Sequence, residues 1–175
     1  MLPATPALPA ADASSPALAA FAGIRARGED FLHGRCHVLA IALAGMTRRP
    51  IRAMVDIDIA SGVPVLTHAY IAWDEERGLD AGGLRPISEI EAEFASAALD
   101  PETIEANPAV LREFGEGSSA AVIDPRDWAR ACALGNALIS VIRDHGLDGR
   151  GPGVPATLAP VRLRTLASAG EPSPS

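Results

Sequence analysis

The stretch that most restricts how this chain folds is Cys36-His-Val-Leu-Ala-Ile-Ala-Leu-Ala44, nine residues that are nearly all apolar and mostly small. A helix built from them has no polar stripe, so it must be covered all round, and its alanines let it lie close against a sheet. Gly45 and the segment Met46-Thr-Arg-Arg-Pro50 end it. The next stretch supplies the sheet. From Ile51 to Ile59 the residues alternate, with Ile51, Ala53, Val55, Ile57 and Ile59 facing one way and Arg52, Met54, Asp56 and Asp58 the other. That is the period-two pattern of a half-buried strand. Ser61-Gly-Val-Pro64 makes a turn, and Val65 to Trp73 reads as a second strand. Asp74-Glu-Glu-Arg-Gly78 is a hairpin loop, and Leu79-Asp80-Ala81 begins a returning strand that Gly82-Gly83 breaks. One buried helix followed by three short antiparallel strands predicts an α+β fold.

Helices flank this middle. Ser15-Pro16 is a helix start, with serine as N-cap and proline in the first turn. The helix runs from Ala17 to about Arg27 and buries Leu18, Phe21 and Ile24. Pro86 to about Ala98 spaces Ile87, Ile90, Phe94 and Ala98 for another helix, with Glu89, Glu91 and Glu93 solvated. Asp100-Pro101-Glu102 and Asn107-Pro108 each open a short helix. Asp124-Pro125 caps a longer one to about His145, with Trp128, Leu134, Leu138 and Val141 inward. Gly115 to Ser119 reads as a flexible loop. Residues 1–14 form a disordered Pro- and Ala-rich segment, 15–147 a single domain, and 148–175 a Gly/Pro-rich, partly disordered tail. No internal repeat is present.

Composition narrows the function classes. With 175 residues the chain is long enough for one real core, and with 4% aromatics that core is Ala, Leu, Ile and Val. A net charge of −7 argues against a nucleic-acid partner. No apolar run is long enough to cross a bilayer, so no membrane partner is expected. Met1 to Ala20 lacks a basic start and carries Asp12, unlike a secretory signal, so the expected location is cytoplasmic. Cys36 and Cys132 sit in different contexts and suggest no disulfide framework. All fifteen basic residues are arginine. GC-rich coding bias, as in many bacterial genomes, accounts for that. Selection against a reactive surface amine is the sharper alternative.

The chemistry-bearing residues are Cys36, His68 and Asp80. A thiol at a helix N-terminus is favoured as thiolate by unpaired backbone N–H groups, and a nearby imidazolium favours it further. Gly34 leaves room for a substrate carbonyl, and the Cys36 amide is a candidate oxyanion donor. If the hairpin centres near Asp74, His68 and Asp80 stand directly opposite each other, with Cβ atoms about 4.5–5.5 Å apart. A centre one or two residues later is more natural for this loop, and a bulge at Gly78 would absorb the difference. Asp80 would then orient one ring nitrogen of His68 and leave the other for Cys36.

A cysteine opening a helix, followed by antiparallel strands carrying histidine and then a polar partner, resembles the papain-like superfamily core. The transglutaminase-like and NlpC/P60-like branches are the nearest. His68-Ala-Tyr-Ile-Ala-Trp73 followed by Leu79-Asp80-Ala81 is similar to the NlpC/P60 histidine strand and its partner, whereas an aspartate third member is more like the transglutaminase branch. The resemblance covers roughly residues 30–84. The aromatic-rich surroundings of the transglutaminase cysteine are missing, and His37 directly after Cys36 is characteristic of neither branch.

What the resemblance implies is a cysteine-dependent amide hydrolase or acyltransferase, of peptidase, amidase, deamidase or transglutaminase type, working on a peptide, protein or other amide without a cofactor. Cys36 would be the nucleophile, His68 the general base and then acid, and Asp80 the group that orients His68. The competing class is a non-catalytic binding or adaptor module on the same core. A third reading is zinc held by His33, Cys36, His37 and His68, although His33-x-x-Cys36-His37 matches no strong zinc spacing. The plain alternatives make Cys36 a buried small hydrophobe, His68 a strand residue satisfied by a backbone carbonyl, and Asp80 a turn residue. Cys132 reads as core, Asp56 and Asp58 as solvated, and His37 as pointing away from the thiol.

Overall fold

The computed structural model describes residues 16–95, 101–114 and 123–149. The Ser15 cap, the loop 115–119 and the termini therefore lie outside the described residues, apart from the short stretch 148–149. The fold is α+β, with an open antiparallel sheet of five strands and five α-helices among the described residues.

Helix α1 spans Pro16–Arg27 and buries Ala17, Phe21 and Ile24, a stripe at i, i+4 and i+7. Leu18 falls off that stripe and is 46% exposed, contrary to the expected inward position. A single 3-10 turn, Glu29–Phe31, leads to α2, Cys36–Thr47. Every residue of α2 from Cys36 to Leu43 is buried, as its lack of a polar stripe requires. Arg48 ends α2 in the left-handed region at φ 57°, donating its N–H to the Ala44 carbonyl.

Strands β1 (Ile51–Ile57), β2 (Pro64–Ala72), β3 (Arg77–Asp80), β4 (Gly83–Pro86) and β5 (Glu102–Ala106) lie in the order β4-β3-β2-β1-β5. Two were not foreseen. β4 is the continuation of the return after Gly82-Gly83, and β5 replaces the short helix expected at Asp100-Pro101-Glu102. β5 pairs with β1 from Ile51↔Ala106 to Val55↔Glu102, a partner that local propensity cannot foresee.

The two faces of the sheet differ. One carries Ile51, Ala53, Ala69, Ile71 and Leu79, all buried, and α2 packs on β2 over it. The small Ala53↔Ala69 pair gives the helix its close approach. The other face carries Arg52, Met54, His68, Tyr70 and Asp80, and α3 (Ile87–Ala95) lies over it through Ile90 and Phe94. Met54, placed on the polar side by alternation, is 1% exposed because that face too is covered. Glu91 and Glu93 are not simply solvated: one accepts from Tyr70 Oη at 2.9 Å and the other pairs with Arg25 and Arg85.

Asn107 caps α4 (Pro108–Glu113), accepting from Ala109 N and Val110 N at 2.8 and 3.0 Å. Asp124 caps α5 (Pro125–Asp144), accepting from Arg126 N at 2.7 Å. Helix α5 packs on α2, with Gly135 against Leu43 and Met46. Its buried stripe is Ala131, Leu134, Gly135, Leu138, Ile139 and Ile142. Trp128 is 40% exposed and Val141 only half-buried, so the stripe is rotated from the expected one.

Helix α2 starts beside Ala69 and ends next to Ile51, so it covers only that half of its face. Beyond it β1 and β2 project as a hairpin. Ile57 is 53% and Ile59 78% exposed, although alternation placed both on the buried side.

Candidate active site

His68 lies mid-strand in β2 and Asp80 closes β3. The ladder runs Ile71↔Leu79 and Ala72↔Gly78, so Asp80 stands opposite Tyr70 rather than His68. His68 is its diagonal neighbour. Moving the hairpin centre by one residue shifts the pairing by two, which keeps both side chains on the same face. Gly78 pairs regularly with Ala72 and Arg85 and forms no bulge. It is held instead by close approach, since a Cβ there would lie 2.7 Å from Ile90 Cδ1 and 2.8 Å from Tyr70 Cδ2.

His68 Nε2 and Asp80 Oδ2 are 3.0 Å apart. Arg85 of β4 donates from Nη2 to the same oxygen at 2.9 Å, and Gly82 N–H donates to Oδ1 at 2.7 Å. Arg85 also pairs through Nη1 with Glu93 on α3, which in turn takes Arg25 of α1 at 2.8 Å. Burial pushes the Asp80 carboxyl up, but the hydrogen bonds and charges of His68 and Arg85 outweigh it and hold it below the ordinary aspartate value. The carboxylate is therefore the acceptor and Nε2–H the donor. His68 lies flat on Phe94, with ring centroids 3.5 Å apart at 6°. Its Nδ1 is buried and has no hydrogen-bond partner among the described residues.

Cys36 is 3% exposed. Burial pushes its thiol up to about 11; the backbone amides of Ala69, His37 and Cys36 itself lower it only in part, and the charge of Asp80 raises it further. The helix N-terminus is present, but it acts on a desolvated sulfur, and desolvation wins. No hydrogen bond joins the thiol to His68. Ala69, whose amide lies beside the thiol, points its side chain to the α2 face, whereas His68 points to the α3 face. The structure thus brings His68 and Asp80 into hydrogen-bond contact, whereas Cys36 makes no hydrogen bond to either. His68 and Asp80 are 0% and 2% exposed.

His37 is buried; burial lowers its pKa, and the charge of Asp127 opposes that shift. Among the described residues no three His, Cys, Asp or Glu side chains gather as metal ligands. Cys132 is half-buried against the core. The participants that sequence reasoning did not single out are Arg85, Glu93, Arg25 and Phe94. Arg85 was hidden because β4 was not foreseen, although an arginine within five residues of a buried aspartate on a returning strand is a readable signal. Among the described residues no helix is long and apolar enough to cross a membrane. Comparison with family models, curated proteins and solved structures found no match to this chain.

Proposed function

We propose that this protein is a non-catalytic binding module. The observation that carries the reading is the closed state of Cys36, a thiol with 3% exposure whose pKa burial pushes up to about 11 and which is hydrogen-bonded to the Ala69 amide rather than to His68. A nucleophile must reach substrate and ionise near neutral pH, and a buried thiol with a raised pKa is suited to neither. The His68–Asp80 pair is engaged in a network with Arg85, Glu93 and Arg25 that ties β2, β3, β4, α3 and α1 together. Exposed apolar surface lies elsewhere, on the β1–β2 hairpin and the sheet beside it, where Ile57, Ile59, Val63 and Val65 stand in solvent. Surface of that kind supports association with a partner.

The runner-up is cysteine-dependent acyl transfer on a papain-like core, favoured by the His68–Asp80 hydrogen bond and by the order α2, β1, β2, β3. It requires a hydrogen bond between Cys36 and Nδ1 of His68, a contact this structure does not contain. The rate of iodoacetamide labelling of Cys36 against pH, in a Cys132→Ser background, separates the two. The binding module predicts labelling about 100-fold or more slower than a free thiol of pKa about 8.5 at pH 7–9, rising only on unfolding. Rapid labelling below pH 8 in the folded wild type, slowed in His68→Ala, would establish the acyl-transfer reading instead.

A further inference from the structure

A cavity of about 180 Å³ opens where α2, β2 and α5 all end, eleven residues along α2 from Cys36, which is about 17 Å of helix. Met46, Trp73 and Ile139 form its apolar wall, and Arg49 and Arg143 its cationic one. Asp148 is the lone carboxylate among the described lining residues. The Arg49 guanidinium lies over the Trp73 ring, with Cζ 4.1 Å from the ring centroid, and this stacking holds the charge at the wall. Arg143 is exposed and forms no salt bridge among the described residues. Trp73 is 6% exposed, and its Nε1 is buried with no hydrogen-bond partner among the described residues.

These groups select for an anion of limited size. Backbone N–H groups already engage helix C-terminal carbonyls at Ala44, Val141, Ile142 and Arg143, so those oxygens do not draw on the two guanidinium groups. Thr47 is also committed: its Oγ1 donates to Leu43 O at 2.7 Å and accepts from Arg49 N at 3.3 Å. The formal charges lining the cavity are therefore two guanidinium groups against one carboxylate, an excess of a single positive charge. A guanidinium is planar and presents paired N–H donors that match the two oxygens of a carboxylate. Volume sets the size of what the carboxylate is attached to. An apolar cavity of roughly 150 Å³ admits benzene, so this one holds a molecule of about seven non-hydrogen atoms.

We propose that this cavity binds a short-chain monocarboxylate, its oxygens accepting from Arg49 and Arg143 and its hydrocarbon part lying against Met46, Trp73 and Ile139. The unmet indole N–H of Trp73 adds a donor to the same wall. Charge, donor geometry and volume agree on this ligand class. The inference goes beyond the binding-module reading, which rests on Cys36 and the β1–β2 hairpin: it names a small-molecule ligand and a site that involves neither.

Heteronuclear NMR of the full-length protein, titrated with isovalerate at neutral pH and constant ionic strength, tests this. The chain has two tryptophans, so Trp128→Phe assigns the two indole N–H signals. The Trp73 signal should shift saturably with a Kd below about 10 mM, while that of Trp128, at the start of α5, stays in place. Arg143→Gln, at an exposed position, should weaken binding about 10-fold or more. Arg143→Lys should recover part of that loss. Isoamyl alcohol, which keeps the shape without the charge, should bind at least about 10-fold more weakly than isovalerate. A Trp73 signal unmoved by isovalerate, or binding indifferent to both Arg143→Gln and Arg49→Gln, overturns the proposal. Equal binding of the alcohol does the same. Sulfate that displaces isovalerate at equal concentration also overturns it, and assigns the cavity to inorganic anions. The thiol labelling reports separately: a reactive Cys36 sinks the binding-module reading and leaves this site standing, whereas an unresponsive cavity with a silent Cys36 sinks this inference alone.

Discussion

Replacing Asp80 with asparagine tests whether the His68–Asp80–Arg85 cluster is a structural brace. Asp80 takes three hydrogen bonds, from His68 at 3.0 Å, Arg85 at 2.9 Å and Gly82 at 2.7 Å. Asparagine keeps one acceptor oxygen, which can still serve Gly82. Its amide N–H groups would then face the His68 and Arg85 donors, leaving a buried cation with its partner removed. Breaking a buried pair in this way typically costs about 3–5 kcal/mol. Arg85 retains 16% side-chain exposure and a second partner in Glu93, so the lower end, about 3 kcal/mol, is expected. At about 2–4 °C per kcal/mol that is a fall of roughly 6–12 °C in Tm. The assay is urea unfolding of both proteins from pH 7 down to pH 2.5. Asp80 has a folded pKa below its unfolded value of about 3.9. Its stabilisation is therefore complete above about pH 4 and is lost as pH falls through the lower, folded pKa. The difference between wild type and Asp80→Asn should shrink over that acid range. A difference under about 1 kcal/mol at pH 7, or one that is the same at both ends of the pH range, refutes the argument.

Other outcomes follow from the same contacts. Gly83 has φ +106°, and a Cβ there would lie 2.7 Å from Phe21 Cγ. Gly83→Ala should therefore cost about 3 kcal/mol or more in denaturant unfolding, whereas Gly34→Ala, at φ +90° with open space around it, should cost only about 1–2 kcal/mol of backbone strain. Phe94→Ala removes the ring stacked on His68 and should destabilise by about 3–5 kcal/mol, measured the same way. Tyr70 is the single tyrosine of the chain, so absorbance at 295 nm reads it alone. Burial first, and then its hydrogen bond to Glu91, raise its pKa, and tyrosinate should appear only well above the ordinary value of about 10. Glu91→Gln should bring that onset down, while an onset near pH 10 in wild type would contradict the buried pair.

Several features were legible in the sequence because they depend on local pattern. An apolar run without a polar stripe has to be enclosed, and α2 is. Asn107-Pro108 and Asp124-Pro125 open helices with the expected side-chain caps, because a cap is a contact between residues two or three apart. Parity put His68 and Asp80 on one face even with the pairing displaced, since a shift of two residues preserves the side. Tertiary contact decided the rest. β5 is a strand because β1 offers it a partner, against a local pattern that reads as a helix start. Ile57 alternates as read yet faces solvent, because α2 stops short of it, and Ile59 lies past the end of β1 in the hairpin turn. Cys36 sits at a helix start as read, but whether a thiol ionises depends on what surrounds it, and here packing has removed the water. The sequence by itself determined which side chains share a helix stripe or a strand face, for those are set by periods of 3.6 and two residues. Which faces are covered, and therefore which groups are charged, paired or reachable, belonged to the tertiary structure, because burial is a property of the neighbours.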